Sequence, residues 1–251
     1  MQLSVVIITL NEERNIRRAV TSVLPVADEV VVVDSGSADG TAGICRELGC
    51  RWIVRDFDGY GIQKQFAVDE ARHDWVLVLD ADEEATPALL EEIRKLKALP
   101  GGPPSAGYRI PRSLFYMGRI LRHGGAGGER LLRLFDRRRG RFTQVAVHEE
   151  IVSEGSTGNL QGALVHHSYA NLAHHLDKLN TYSTLAAEDY RRAGQRFPKA
   201  WAAVKFPVTF FTFYILKGGF RDGYPGFVWS FLAGVYAAVK IAKTLEPTPA
   251  K

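Results

Sequence analysis

The sequence predicts an α/β protein with a Rossmann-like, mostly parallel sheet that carries helices on both faces. Three apolar runs rich in β-branched residues, SVVIIT (4–9), EVVVVD (29–34) and WVLVL (75–79), are typical of strands buried on both faces. Segments with helical spacing separate them, and right-handed crossovers make such strands parallel. The 251 residues, 46% of them hydrophobic, suffice for one such domain with a substantial appendage.

A segment with helical periodicity follows each of the strands predicted at 4–9, 29–34 and 51–57. In the segment LNEERNIRRAVTSVL, Asn11 is predicted to cap the helix and Pro25 to end it. Thr41 is predicted to cap the next helix. A strand at 51–57 and a helix at 61–72 complete the repeat of strand and helix.

A break in the pattern, PGGPPSAG at 100–107, follows a helix that Thr86 and Pro87 are predicted to start. Beyond it, short strands with turns are predicted over 108–168, followed by a helix at about 171–192. We therefore expect three regions, which are a nucleotide-binding half (1–99), an acceptor-binding half (100–170) and a C-terminal helical region (171–251). In the last region we expect three leucines to face inward, namely Leu176, Leu179 and Leu185. The glycine-rich stretch 124–128 is interpreted as a flexible loop.

Four carboxylates follow the strand at 75–79 within five residues, namely Asp80, Asp82, Glu83 and Glu84. Like charges this close are unfavourable unless a cation lies between them. A divalent ion held by one or two carboxylates and by substrate phosphates fits the end of a parallel strand, where open α/β sheets bind ligands. The alternative is that these acidic residues only occupy the first turn of the next helix, where the helix dipole favours negative charge.

Composition excludes some classes of function. The excess of four positive charges is small, which argues against a nucleic-acid-binding protein. Cys45 and Cys50 have neither a CxxC spacing nor a nearby histidine, so we interpret them as free thiols of a cytosolic protein. The N-terminus enters a strand pattern directly, so secretion is not expected.

The C-terminal region holds the most apolar and aromatic stretches of the chain, at 206–216 and 223–239. Lysines and arginines flank both, and tryptophans and tyrosines supply rings that favour a membrane interface. We predict two amphipathic helices that lie in one leaflet with basic residues toward anionic lipid. The alternative is a pair of core helices or a surface that joins two copies of the chain.

Four motifs in order resemble those of inverting family 2 glycosyltransferases with the GT-A fold: VVIITLNEE, VVVDSGSADGT, QKQFA and LDADE, the last as the DxD element. The later segments RLFDRRRGRF, VHEE, LVHHSY and GGFRDGYPGF resemble membrane-associated enzymes that build lipopolysaccharide cores and lipid-linked glycans. The resemblance implies transfer of a sugar from a nucleotide diphosphate, with UDP favoured, to a lipid-linked or lipopolysaccharide-core glycan. It also implies a Mg²⁺ or Mn²⁺ cofactor and a peripheral location on the cytoplasmic side of the inner membrane.

The resemblance also assigns roles to individual residues. Asp82 would contact the metal with His166, or with His167 in its place, and Asp80 would lie near the ribose and metal-bound water. Asp34 matches the position that reads the uracil or ribose. The expected nucleotide-sugar-binding residues are Thr9, Asn11, Glu12, Asp34, Asp39, Lys64, Asp80, Ala81, Asp82 and Arg130. Lys64 could equally be a solvated helix residue.

Inverting transfer needs a carboxylate to take the proton of the attacking hydroxyl. The VHEE segment stands where relatives carry an ED pair, so Glu149 is our predicted base and Glu150 the alternative. A nucleotidyltransferase is rejected, because TLNEERN lacks the glycine-rich loop that holds a triphosphate. A catalytically inactive membrane scaffold of the same fold is the remaining alternative.

Overall fold

The computed structural model describes residues 1–143 and 150–247. The chain forms two compact units, which we call the sheet unit and the helical unit. The sheet unit comprises Met1–Ser113 and Glu129–His167, and the helical unit comprises Leu114–Gly128 and Ser168–Lys251. Glu149, the predicted base, lies outside the described residues.

The strands are β1 (Leu3–Thr9), β2 (Glu29–Asp34), β3 (Arg51–Val54), β4 (Trp75–Asp80), β5 (Glu83–Ala85), β6 (Gly107–Tyr116), β7 (Arg119–Leu121), β8 (Gly127–Asp136), β9 (Gly140–Phe142), β10 (Ile151–Ser153), β11 (Thr157–Asn159) and β12 (Leu164–His166). The main sheet has the order β3-β2-β1-β4-β8-β6-β12-β5, with β11 parallel to β6. Strands β9 and β10 form a separate antiparallel pair.

The first four strands are parallel, as predicted, and their register aligns the ends that carry polar residues. Thr9 of β1 lies opposite Asp34 of β2, and Ile8 lies opposite Asp80 of β4. Strand β8 then runs antiparallel to β4, with Leu134 opposite Leu77. The carboxyl ends of β2, β1 and β4 therefore form one edge, which we call the acidic edge.

Helices cover both faces of this sheet because successive strand residues point to opposite sides. The helices of the sheet unit are α1 (Ile16–Val23), α2 (Thr41–Glu47), α3 (Tyr60–Asp69) and α4 (Pro87–Ala98). Ile7 belongs to the buried cluster that includes Ile16 of α1 and Leu89 of α4. Its neighbour Val6 belongs to a second cluster that includes Ala67 of α3. The predicted two-sided arrangement is thus confirmed.

Helix starts agree with the sequence only in part. Thr86 caps α4 as predicted, since its hydroxyl accepts a hydrogen bond from the backbone N–H of Leu89 at 3.3 Å. The prediction that Asn11 caps the first helix is wrong, because α1 begins at Ile16. Asn11 instead has a left-handed backbone (φ 55°) and its side-chain oxygen accepts from the N–H of Ala38 at 2.9 Å.

The helical unit contains α5 (Leu172–Arg192), α6 (Trp201–Phe211), a π-helical turn (Thr212–Leu216), a 3₁₀ turn (Gly219–Asp222) and α7 (Gly223–Leu245). Leu179 of α5 packs against the buried cluster of this unit. The inward orientation predicted for Leu176 and Leu185 is wrong, since 45% and 50% of their surfaces are exposed. Helical spacing identified the helix but did not identify which side chains face the core.

Aromatic contacts join α6 to α7 within the helical unit. The Phe206 and Phe231 rings lie 5.3 Å apart, and the Phe210 and Phe227 rings lie 5.8 Å apart. Within the described residues, Gly219–Leu245 is the one helical stretch that is long and apolar enough to cross a membrane, with a mean hydropathy of 1.4. The stretch Trp201–Leu216 is apolar but shorter.

Candidate functional site

The turn after β2 is held against the residues that follow β1. The buried carboxylate of Asp34 accepts hydrogen bonds from the backbone N–H groups of Gly36 (2.9 Å) and Ser37 (2.7 Å). The backbone N–H of Asn11 donates to the Ser37 hydroxyl at 2.8 Å. Thr9, opposite Asp34 in the sheet, is buried, and its hydroxyl has no hydrogen-bond partner among the described residues. A buried unpartnered hydroxyl is unfavourable, so this corner suits a polar ligand.

Two further predicted residues lie in the same pair of loops. The backbone N–H of Glu12 donates to the Thr41 hydroxyl at 2.9 Å. Asp39 accepts from the N–H groups of Thr41 (3.0 Å) and Glu13 (3.1 Å). Both residues therefore hold the two loops together, which fixes the position of Asp34 and Thr9 at the acidic edge.

Asp80, at the end of β4, is paired with two cations. The Lys64 amine lies 3.0 Å from one carboxylate oxygen and the Arg133 guanidinium lies 2.6 Å from the other. Burial works to raise the pKa of Asp80, but the charges and hydrogen bonds of Arg133 and Lys64 outweigh it and hold that pKa well below its ordinary value. Lys64 is itself buried, so it is not a solvated helix residue.

Glu83 lies behind this pair with none of its side chain exposed. Its carboxylate accepts a hydrogen bond from the N–H of Asp80 at 3.0 Å and lies 3.4 Å from Arg133 and 4.0 Å from Arg112. Burial raises the pKa of Glu83 in spite of the Arg133 charge. The expectation that a bound cation lies between the crowded carboxylates is wrong at Asp80 and Glu83, because Lys64, Arg133 and Arg112 supply the positive charge there.

Asp82 and His166 form a separate pair beyond the end of β4. Antiparallel pairing of β5 with β12 sets His166 opposite Glu83, beside Asp82 in the chain. The His166 Nε2 atom lies 3.1 Å from a carboxylate oxygen of Asp82, and about a fifth of each side chain is exposed. Imidazole nitrogen and carboxylate oxygen are both ligands of divalent ions such as Mn²⁺.

His167 does not share this position. Its Nε2 atom lies 3.0 Å from the Glu84 carboxylate, and its backbone N–H donates to the Asp82 carbonyl at 2.8 Å. Burial and the nearby Arg18 charge lower the pKa of His167. No group of three or more His, Cys, Asp or Glu residues arranged for a metal occurs within residues 1–143 and 150–247. A divalent ion held by Asp82 and His166 would take its remaining ligands from phosphate oxygens and water.

A polar cavity of about 490 Å³ opens beside Asp80 in the sheet unit. Of its described lining residues, five are cationic, namely Lys64, Arg109, Arg112, Arg130 and Arg133, and three are acidic, namely Asp80, Glu129 and Glu150. Arg130 donates to the Leu160 carbonyl at 2.6 Å and to the Gln161 side chain at 3.1 Å. The excess of positive charge suits an anionic ligand. Glu150 is the described member of the predicted base pair, and it lines this cavity.

Sequence reasoning did not identify the functions of Arg133 and Glu83. Arg133 was one member of a run of arginines, and its pairing with Asp80 depends on the register between β4 and β8. Glu83 was grouped with its acidic neighbours, although it is the fully buried member. Ala81, named with the DxD element, is buried and presents no polar side chain.

Comparison with known proteins identifies the family. The family model "Glycosyl transferase family 2" matches residues 4–99. The chain is 34% identical over 98% of its length to the lipopolysaccharide core biosynthesis glycosyltransferase LpsC of Rhizobium meliloti, of which it covers 93%. The chain belongs to glycosyltransferase family 2. Membership confirms the expected enzyme class and, with the observed mixed sheet and its helices on both faces, the expected GT-A fold.

The chain is also similar to two further proteins. An uncharacterized glycosyltransferase of Rickettsia typhi is 31% identical over 98% of this chain and 87% of its own length. Among solved structures, S. aureus TarS residues 1–349 in complex with UDP is 26% identical, with a TM-score of 0.36, over 47% of this chain and 37% of that chain.

Proposed function

We propose that this family 2 glycosyltransferase moves a sugar, with inversion, from a UDP-sugar to a lipid-linked or lipopolysaccharide-core glycan, with Mg²⁺ or Mn²⁺ as cofactor. The observation that carries the proposal is the 3.1 Å approach of Asp82 and His166 at the end of β4. The similarity to a lipopolysaccharide core glycosyltransferase over 98% of the chain supports the class of acceptor.

The nucleoside is proposed to bind at the corner formed by Thr9 and Asp34. Its ribose or base would satisfy the buried Thr9 hydroxyl, which has no partner among the described residues. Asn11 and Glu12 would hold the corner through hydrogen bonds to the SGSADGT turn, and Asp39 would do so from within that turn by accepting from the N–H of Glu13.

Asp82 and His166 are the proposed ligands of the divalent ion. When bound, the ion would act as a Lewis acid that stabilises negative charge on the leaving diphosphate. Asp80 is directed toward Lys64 and Arg133 instead, which leaves the metal to the second aspartate of the DxD element. Arg130, which lines the polar cavity beside Asp80, is proposed to contact the diphosphate, since a guanidinium pairs well with phosphate oxygens.

Glu149 is the proposed base and Glu150 its alternative. The base would take the proton of the acceptor hydroxyl as that oxygen attacks the anomeric carbon in line with the leaving group. Glu150 lines the cavity beside Asp80, which supports an acceptor site on that side of the sheet. We expect Glu149→Gln to bind donor normally and to transfer sugar poorly. If Glu150→Gln shows this result and Glu149→Gln does not, Glu150 is the base.

The helical unit is proposed to associate with the cytoplasmic face of the inner membrane as a peripheral element. The exposed apolar residues of α6 and the apolar stretch Gly219–Leu245 support this location. Association of two copies through the same helices is the alternative, and it is distinguished by the oligomeric state in the absence of lipid.

The test is a comparison of Asp82→Asn with the control Glu84→Gln, which removes the neighbouring carboxylate that pairs with His167. Titration calorimetry with UDP and Mn²⁺ should show that Asp82→Asn loses the metal-dependent part of UDP binding. An assay of sugar transfer should show a loss of roughly 100-fold. Glu84→Gln should retain both properties. Metal-stimulated UDP binding that survives in Asp82→Asn would refute the metal assignment. If the unmodified chain binds no sugar nucleotide with either ion, the scaffold alternative gains support.

A further inference from the structure

A cluster of basic side chains surrounds the turn between α6 and α7 in the helical unit. We call it the cationic turn, and it consists of Arg119, Arg122, His123, Lys217 and Arg221. The Arg119 guanidinium donates to the backbone carbonyl of Asp222 at 3.1 Å. A methyl group placed on Gly125 would lie 3.3 Å from the Lys217 amine, and one on Gly218 would lie 3.5 Å from the His123 ring and 3.6 Å from the Arg221 side chain. These contacts bring residues from two distant segments of the chain to one place.

The carboxylate of Asp222 offsets only part of this charge. Its side chain is buried, and one oxygen accepts from the backbone N–H groups of Arg122 (3.0 Å) and His123 (2.8 Å). The other oxygen lies 3.2 Å from the His123 ring nitrogen. Asp222 therefore organises the loop, and within this turn it is the single acidic residue set against one lysine and three arginines.

The basic side chains of the cationic turn lie beside exposed apolar side chains. Exposed fractions reach 71% for Leu216, 47% for Phe220 and 68% for Tyr224. The Lys217 amine lies 4.3 Å from the centroid of the Phe213 ring. Helix α6, which the structure describes in full, buries none of its residues although most of them are apolar. Large exposed apolar surface beside uncompensated positive charge is the combination expected at the boundary between lipid chains and anionic headgroups.

We infer that the cationic turn is a binding surface for the phosphate headgroups of anionic lipids. The inference extends the proposed membrane association by assigning the polar part of the contact to particular residues. The apolar side chains of α6 and of the turn would enter the boundary of the acyl chains, while Lys217 and Arg221 contact headgroup phosphates. Lys217 and Arg221 are exposed, and their amine and guanidinium groups are the donors that bind phosphate oxygens most strongly.

The test is cosedimentation of the full chain with vesicles, comparing pure phosphatidylcholine with a mixture that contains phosphatidylglycerol. The variant is Lys217→Gln with Arg221→Gln. The matched control is Arg196→Gln with Lys199→Gln, which removes the same charge from exposed positions before α6. Because the variant lacks two cations that would lie near the anionic surface, we expect it to bind the anionic vesicles roughly 30-fold more weakly. The control should lose far less, and added salt should reduce the difference between variant and unmodified chain.

Three results would overturn the inference. Equal binding of the unmodified chain to neutral and anionic vesicles, with no effect of the variant, would leave membrane association in place but remove the headgroup site. Failure to bind either vesicle would remove both. Stabilisation of the chain by inorganic phosphate, lost in the variant, together with no preference for anionic vesicles, would assign the turn to a soluble phosphate ligand instead.

Discussion

Replacement of Arg133 by methionine tests how the acidic edge is held together. The change removes a buried guanidinium that lies 2.6 Å from Asp80 and 3.4 Å from Glu83, while it keeps an apolar side chain in the space. Asp80 retains Lys64 at 3.0 Å. Glu83, which has no exposed surface, retains the N–H of Asp80 and the more distant Arg112 at 4.0 Å.

The expected loss of stability in Arg133→Met follows from the negative charge that is left buried without its partner. Removal of one partner of a buried pair destabilises a protein by about 3–5 kcal/mol. Because Asp80 and Glu83 keep other partners, we expect a loss of about 3 kcal/mol at pH 7. For a chain of this size that loss lowers the Tm by about 6–12 °C. The pKa of Glu83 is already raised by burial, and loss of Arg133 raises it further. Protonation then removes the unpaired charge, so the destabilisation should shrink as the pH falls.

Thermal unfolding between pH 5 and pH 8 measures this effect. Arg141→Met, at an exposed position of the β9 strand, is the matched control and should change the Tm by little. Adding Glu83→Gln to Arg133→Met should restore most of the lost stability, because the second change removes the unpaired charge. A loss below about 1 kcal/mol for Arg133→Met, or a loss that does not vary with pH, would refute the reasoning.

Two further predictions concern stability. The His175 ring is buried, with one nitrogen 2.7 Å from the Tyr116 hydroxyl, and burial, with the nearby charges, lowers the pKa of His175 from 6.5 to about 4. The unfolded chain therefore binds the proton first, and stability should fall by about 3 kcal/mol as the pH drops from 6.5 toward 4. His175→Phe should lose this part of the pH dependence in thermal unfolding, and an unchanged profile would contradict the burial argument. A methyl group on Gly162 would lie 2.2 Å from the backbone nitrogen of Leu89, so Gly162→Ala should destabilise the chain by about 1–3 kcal/mol or more. The control Gly43→Ala meets no atom within 4 Å and should stabilise helix α2 by about 0.5–1 kcal/mol, measured in the same assay.

Local patterns in the sequence predicted the framework of the sheet unit. Runs of β-branched residues located β1, β2 and β4, and the Thr86 cap located the start of α4, because these features depend on neighbouring residues alone. The start of α1 was not predictable in this way. Asn11 is a good capping residue, but its side chain binds the backbone of Ala38 in the turn after the next strand.

The candidate site, like the fold, was predictable from the sequence only in part. The family resemblance paired Asp82 with His166 or, in its place, His167, and the pairing of β5 with β12 brings Asp82 and His166 to 3.1 Å. The Arg133 guanidinium beside Asp80 was not predicted, since the strand β8 that carries it comes from a segment after the glycine- and proline-rich break. Sequence could not show that Glu83 is buried while Glu84 is partly exposed, because both follow the same strand.

The antiparallel pairing of β4 with β8 has a consequence for how the chain can be divided. A fragment that stops at residue 99, where the family match ends, would lack β8 and would present the backbone of Trp75–Leu77 as an open strand edge. Open edges promote self-association, and Asp80 and Glu83 would also lack their arginine. We therefore expect such a fragment to be recovered as aggregate, and swaps of this region between relatives to succeed only when β8 is carried with it.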